Sequence, residues 1–140
     1  MSYKYLVSAC LAGVKCRYDC AHKAHEKVVD LVESGEALAV CPEEMGGLPT
    51  PRPSAEVQAE NGKVLTNEGQ DVSTLYEEGA QKAFELIEKH KIKHVILKSK
   101  SPMCGEGEIY DGSFTGKLTK GDGILVQKIR KQKNIKIDKI

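Results

Sequence analysis

Three short apolar runs along the chain each break off into a polar stretch that carries glycine or proline. Tyr5 to Ala9, Ala37 to Val40 and His94 to Leu97 have the length and β-branched content of buried strands. Between and after them the apolar spacing changes from continuous to helical. Val28, Val29, Leu31 and Val32 predict a helix from about His25 to Ser34, with Ser34-Gly35 as its stop. Leu75, Ala80, Ala83, Phe84, Leu86 and Ile87 predict a long helix that opens at Asp71 as N-cap and ends near His90. Ile124 to Lys131 reads as a further helix and Ile135 to Ile137 as a last strand. Glu56 to Ala59 and Lys63 to Leu65 flank Asn61-Gly62, which predicts a two-residue hairpin. Four prolines between Pro42 and Pro53 forbid a helix there and leave an extended, turn-rich loop, and Ile109 to Gly116 reads as a glycine-punctuated loop.

The alternation of strands and helices predicts an α/β domain over residues 1–140. It is a three-layer, mostly parallel, Rossmann-like sheet with helices on both faces and a small β-hairpin insertion. The length of 140 residues suits one such core. A formal net charge of +1 argues against a broad nucleic-acid or anionic-membrane footprint. No run approaches the roughly 18 apolar residues that span a bilayer. Met1 to Tyr5 leads directly into a strand pattern, so no signal peptide and a cytoplasmic location are expected. Disulfides are rare in that compartment, which turns five cysteines toward ligand, catalytic or core roles. The pattern leaves the oligomeric state open.

Cys10, Cys41 and Cys104 each lie just past an apolar run. Right-handed crossovers bring the C-terminal ends of parallel strands to one edge, where open α/β sheets bind ligands. Three thiolates meeting there suit a soft metal or an iron–sulfur cluster. Zinc is also possible, though a structural zinc site takes four ligands. Each cysteine taken alone reads equally as a small buried hydrophobe. Cys16, Cys20, His22 and His25 form a second, local group that reads as a zinc knuckle or as solvent-facing histidines beside a partly buried thiol; Cys16 is also a possible fourth ligand to the shared site.

Glu43 and Glu44 follow Cys41 directly, and Glu43 is the better placed to move a proton beside a metal. Ser101, three residues before Cys104, is either a hydrogen-bonding partner for substrate or sulfide or an ordinary turn residue. Lys98, Lys100 and Arg52 offset a negative cluster, bind an anion, or are plain surface charge. The residues alone therefore support a metal-dependent enzyme, a non-catalytic zinc- or cluster-binding sensor or adaptor module, or a plain α/β domain with structural thiols.

Several motifs, in order, narrow this. Ser8-Ala9-Cys10-Leu11-Ala12-Gly13, Cys16-Arg17-Tyr18-Asp19, Cys41-Pro42-Glu43, Gly46-Gly47-Leu48-Pro49 and Pro51-Arg52-Pro53-Ser54-Ala55-Glu56 lie in the first half. Gly69-Gln70-Asp71-Val72, Glu78-Gly79-Ala80, Leu97 to Gly105 and Ile109-Tyr110-Asp111-Gly112 lie in the second. Together they resemble the bacterial thiouracil desulfidase family from about Tyr5 to the end. The resemblance implies a 4Fe–4S cluster held by only three cysteines, which map to Cys10, Cys41 and Cys104. It implies a non-redox removal of sulfur from a thiolated pyrimidine such as 2-thiouracil, with hydrogen sulfide as product. A glutamate and a serine assist, mapped to Glu43 and Ser101, and Lys98, Arg52 and Ser101 are the expected substrate contacts. Two positions depart from the family pattern: Met103 stands where serine is common and Cys20 where glycine is common.

Overall fold

The computed structural model describes residues 3–132 and 134–140. In chain order it runs β1 (Tyr5–Ser8), a 3-10 turn (Ala9–Ala12), α1 (Glu26–Glu33), β2 (Ala37–Val40), α2 (Pro42–Met45), β3 (Ala55–Val57) and β4 (Val64–Thr66). It continues through α3 (Ser73–Lys89), β5 (His94–Leu97), β6 (Glu108–Tyr110), β7 (Leu118–Lys120), α4 (Ile124–Ile129) and β8 (Lys136–Lys139).

The apolar runs assemble into a four-stranded parallel sheet in the order β2-β1-β5-β8. β1 is central, pairing Tyr5 with Ala37 of β2 on one side and with His94 of β5 on the other. Alternation along each strand divides two cores. Leu6, Val95 and Leu97 pack with Tyr76, Ala83 and Ile87 of α3 and with α4, whereas Val7 and Ile96 pack with Val28 of α1 and the 3-10 turn. These two apolar faces account for the three layers, and full burial of each such side chain contributes about 1.5–3 kcal/mol. The chain leaves β1 toward β2 and then crosses to β5 on the opposite side. The order therefore reverses at β1, and the C-terminal ends of β1 and β5 bound the crevice this produces.

Several local expectations are corrected. The first strand ends at Ser8, because Ala9–Ala12 coils into a 3-10 turn closed by Gly13. Prolines did not exclude a helix after Cys41: Pro42 occupies the first helical position, where a missing N–H costs nothing. Asn61-Gly62 is not a two-residue turn. β3 and β4 pair Val57 with Val64, which leaves a six-residue connection in which Gly62 N donates to Gln58 O (2.8 Å). The long helix begins at Ser73, not Asp71, although the Asp71 carboxylate still accepts a hydrogen bond from Ser73 N (2.9 Å). The stretch around Ile109 is not only a loop: Glu108–Tyr110 forms an antiparallel hairpin with Leu118–Lys120.

Candidate functional site

Each expected site residue is delivered by a short, well-fixed piece of backbone. Cys10 lies in the 3-10 turn that caps β1, and its carbonyl accepts a hydrogen bond from Lys23 N (2.9 Å), tying down the long loop that follows. Cys41 is the residue between β2 and α2, so Glu43 follows in the first helical turn. Cys104 closes a turn that begins at Ser101, whose Oγ accepts from Met103 N (3.2 Å) and Cys104 N (2.7 Å). That turn sits on the start of α4, where Gly123, Ile124 and Leu125 donate backbone bonds to the carbonyls of Gly105, Pro102 and Met103.

The three strand ends bring Cys10, Cys41 and Cys104 to one pocket of about 500 Å³, and Glu43, Ser101, Lys98 and Arg52 line it as well. Its cations, Arg17, Arg52, Lys98 and Lys100, outnumber its carboxylates, Glu43 and Glu56, so the field inside favours negative charge. Cys16 is a fourth thiol on the same wall. Cys20, His22 and His25 are exposed and do not line this pocket. Among the described residues no group of three or more His, Cys, Asp or Glu side chains is placed to hold a single metal ion. The Cys16–His25 segment thus does not assemble the zinc knuckle that its spacing suggested.

The thiols differ in environment. Burial raises the Cys10 and Cys104 thiols above their ordinary range, and neighbouring negative groups, Cys41 and Glu43 respectively, add to it. A Ser8 hydroxyl hydrogen-bonded to Cys104 works in the other direction. Cys41 is lowered and Cys16 raised, chiefly by the pairing of the two thiols, and the Cys41 sulfur also lies 3.7 Å from Cys16 O as its donor. Cys41 is therefore the more readily ionised of that pair. Desolvation also lowers the Lys98 ammonium, partly countered by Cys10.

Glu43 and Glu44 part company. Glu44 is exposed and accepts from Thr50 Oγ1 (2.5 Å), whereas Glu43 faces inward. Its Oε2 accepts from the Tyr76 hydroxyl at 2.8 Å and lies 3.1 Å from the Arg52 guanidinium. Arg52 is buried and also donates to Pro49 O, Thr50 Oγ1 and Cys16 O. Tyr76 went unnoticed in the sequence. One signal for it existed: four residues from both Val72 and Ala80, it lies on the buried face of α3, where a phenolic hydroxyl needs a partner. Ser8 was missed for lack of any comparable signal. Tyr18, Tyr110 and Phe114 add aromatic surface to the pocket.

The two departures from the family pattern lie off the pocket. Met103 is fully buried in the core beside α3 and α4. Cys20 has a left-handed backbone, φ 60°, which accounts for glycine as the easier residue there. Soft sulfur donors, a clamped carboxylate, a hydroxyl and cations around one cavity can hold a soft metal centre and move protons at its side.

The model of the family described as 2-thiouracil desulfurase matches residues 5–138. YbbK of Bacillus subtilis (strain 168), an uncharacterised protein, is 43% identical over 127 residues, covering 85% of this chain and 84% of its own. The solved structure of the 4Fe–4S-dependent thiouracil desulfidase TudS is 41% identical. It superposes with a TM-score of 0.89 over 98% of this chain and 90% of its own.

Proposed function

Since the chain belongs to the 2-thiouracil desulfurase family, we propose that it removes sulfur from a 2-thiouracil-like pyrimidine without net redox change. The thiocarbonyl and one water become a carbonyl and hydrogen sulfide. We assign a 4Fe–4S cluster to Cys10, Cys41 and Cys104. What supports the reading is the convergence of these three strand-end thiols, with Glu43 and Ser101, on one pocket.

The residues present fit such a group. Thiolates are the usual donors to iron–sulfur clusters, and the surplus of pocket cations offsets the negative charge of a thiolate-bound cluster. Ser8, whose Oγ accepts from Lys98 N (3.0 Å), lies beside Cys104 and favours its ionised form. With three protein ligands on four irons, the bound cluster supplies one open Lewis-acidic iron for a soft sulfur atom.

The chain's own groups do the rest. Tyr18, Tyr110 and Phe114 offer faces on which a flat pyrimidine stacks. Ser101 Oγ already accepts two backbone N–H bonds, so its own proton is available to donate to the substrate. Lys98 and Arg52 steady negative charge that develops on the base. Glu43 takes a proton from the attacking water and returns it to the departing sulfide.

The test is anaerobic reconstitution with iron and sulfide, followed by a sulfide-release assay on a panel of thiolated pyrimidines. The reading expects a brown protein that releases sulfide from 2-thiouracil or a close relative and produces the oxygen analogue in equal amount. Reconstituted protein that retains its iron yet releases no sulfide from any of them overturns it.

A further inference from the structure

We propose that Tyr76 is a positioning residue for this reaction: its hydroxyl, with the Arg52 guanidinium, clamps one oxygen of Glu43 and so presents the other to the pocket. The inference rests on the proton-transfer role assigned to Glu43 above.

The hydrogen bond and the ion pair fall on the same atom. Tyr76 Oη lies 2.8 Å from Glu43 Oε2 and Arg52 Nη2 lies 3.1 Å from it. Oε1 has no protein partner among the described residues, and no fully buried side-chain oxygen there lacks a partner. Oε1 therefore reaches open space, and the open space beside Glu43 is the pocket. The clamp has fixed jaws. Tyr76 is 2% exposed in the core of α3. Arg52 is held from three further directions by Pro49 O, Thr50 Oγ1 and Cys16 O.

The meeting of Tyr76 and Glu43, 33 positions apart, follows from two glycines. A Cβ on Gly79 would lie 1.9 Å from Pro42 O, and a Cβ on Gly46 would lie 2.0 Å from Leu75 O. α2 and α3 thus touch backbone to backbone. Tyr76 stands one turn before Gly79 on the same face, so its ring ends at the first turn of α2, where Glu43 is. A carboxylate with one oxygen hydrogen-bonded to Tyr76 and ion-paired with Arg52 cannot rotate freely, and its free oxygen keeps one direction. Misplacing a reacting group by about 1 Å can cost around a hundredfold in rate.

The variant is Tyr76→Phe, which keeps the ring and removes only the clamping hydroxyl. In the reconstituted enzyme the clamp predicts unchanged iron and sulfide content and an unchanged visible spectrum. It predicts a kcat for sulfide release lower by roughly 10- to 100-fold, with KM within about twofold. A merely structural tyrosine would alter cluster retention or stability without this split. A kcat at the wild-type level overturns the proposal.

A second arm needs no cluster. In urea unfolding of the metal-free chain, Tyr76→Phe and Glu43→Ala are combined in a double-mutant cycle. The clamp predicts effects on the folding equilibrium that depart from multiplicative behaviour by about tenfold. Multiplicative effects within about twofold show no bond to break and also overturn it. A wild type that releases no sulfide overturns the functional reading and Tyr76's catalytic part together. The metal-free cycle then distinguishes a purely structural clamp from none.

Discussion

Gly79→Ala inverts an ordinary expectation and so probes the architecture that sets up the site. In an open helix interior, alanine for glycine stabilises by about 1 kcal/mol through helix propensity. Here the new methyl would sit 1.9 Å from Pro42 O and 3.0 Å from Gly46 N, both backbone atoms. To bring the first contact out to 3.0 Å, α2 must retreat by about 1.1 Å from α3. The same retreat would stretch the 2.8 Å Tyr76–Glu43 bond to about 3.9 Å, beyond hydrogen-bonding range. Overpacking of this kind costs about 1–3 kcal/mol. Loss of a hydrogen bond to a charged group costs about 1.5–3 kcal/mol more. Set against the propensity gain, the net loss is about 1.5–5 kcal/mol, read as a lower midpoint at unchanged slope in urea unfolding. A variant as stable as the wild type, or more stable, would refute the backbone contact between α2 and α3 and with it the reason Tyr76 reaches Glu43.

Two further outcomes follow from other parts of the chain. Cys20→Gly relieves a left-handed backbone that costs a non-glycine residue about 1–2 kcal/mol, against about 0.5–1 kcal/mol of added glycine entropy. A rise in stability of about 0.5–1 kcal/mol is expected in thermal unfolding, and a loss would contradict the conformation. The Asp138 carboxyl is held below its usual range, chiefly by its 2.6 Å hydrogen bond with His94, with Lys136 and Lys27 assisting. A depressed folded-state value means the stabilisation is present above the ordinary carboxylate range and disappears as pH falls through the folded-state value. Asp138→Asn is therefore less stable than wild type at neutral pH, and the gap closes in acid; a gap independent of pH would remove the linkage.

The strands and the thiols were legible for the same reason. Apolar runs that end at glycine or proline mark both where a strand stops and where its loop offers a ligand, so Cys10, Cys41 and Cys104 could be placed on one edge from topology alone. The helix at Pro42 was not legible, because proline was read as a breaker when its first-turn position makes it a starter. The β6–β7 hairpin escaped because Ile109 is its one buried residue and Leu118 faces solvent, which leaves no alternation to detect. The Tyr76–Glu43–Arg52 clamp lay further out of reach. It depends on two glycines that let α2 and α3 meet, a tertiary contact that no local pattern encodes. Met103 lies in a site motif, yet its side chain belongs to the core, which its place in the sequence did not reveal.

We propose that three strand-end thiols hold the cluster and that the fourth pocket thiol, Cys16, does not. The direct measurement is iron and acid-labile sulfide per chain after identical anaerobic reconstitution of Cys10→Ala, Cys16→Ala, Cys41→Ala and Cys104→Ala. The Cys10, Cys41 and Cys104 variants are expected to lose most of both while Cys16→Ala stays near the wild-type content. A Cys16→Ala protein that cannot hold iron, beside a strand-end variant that can, would contradict it.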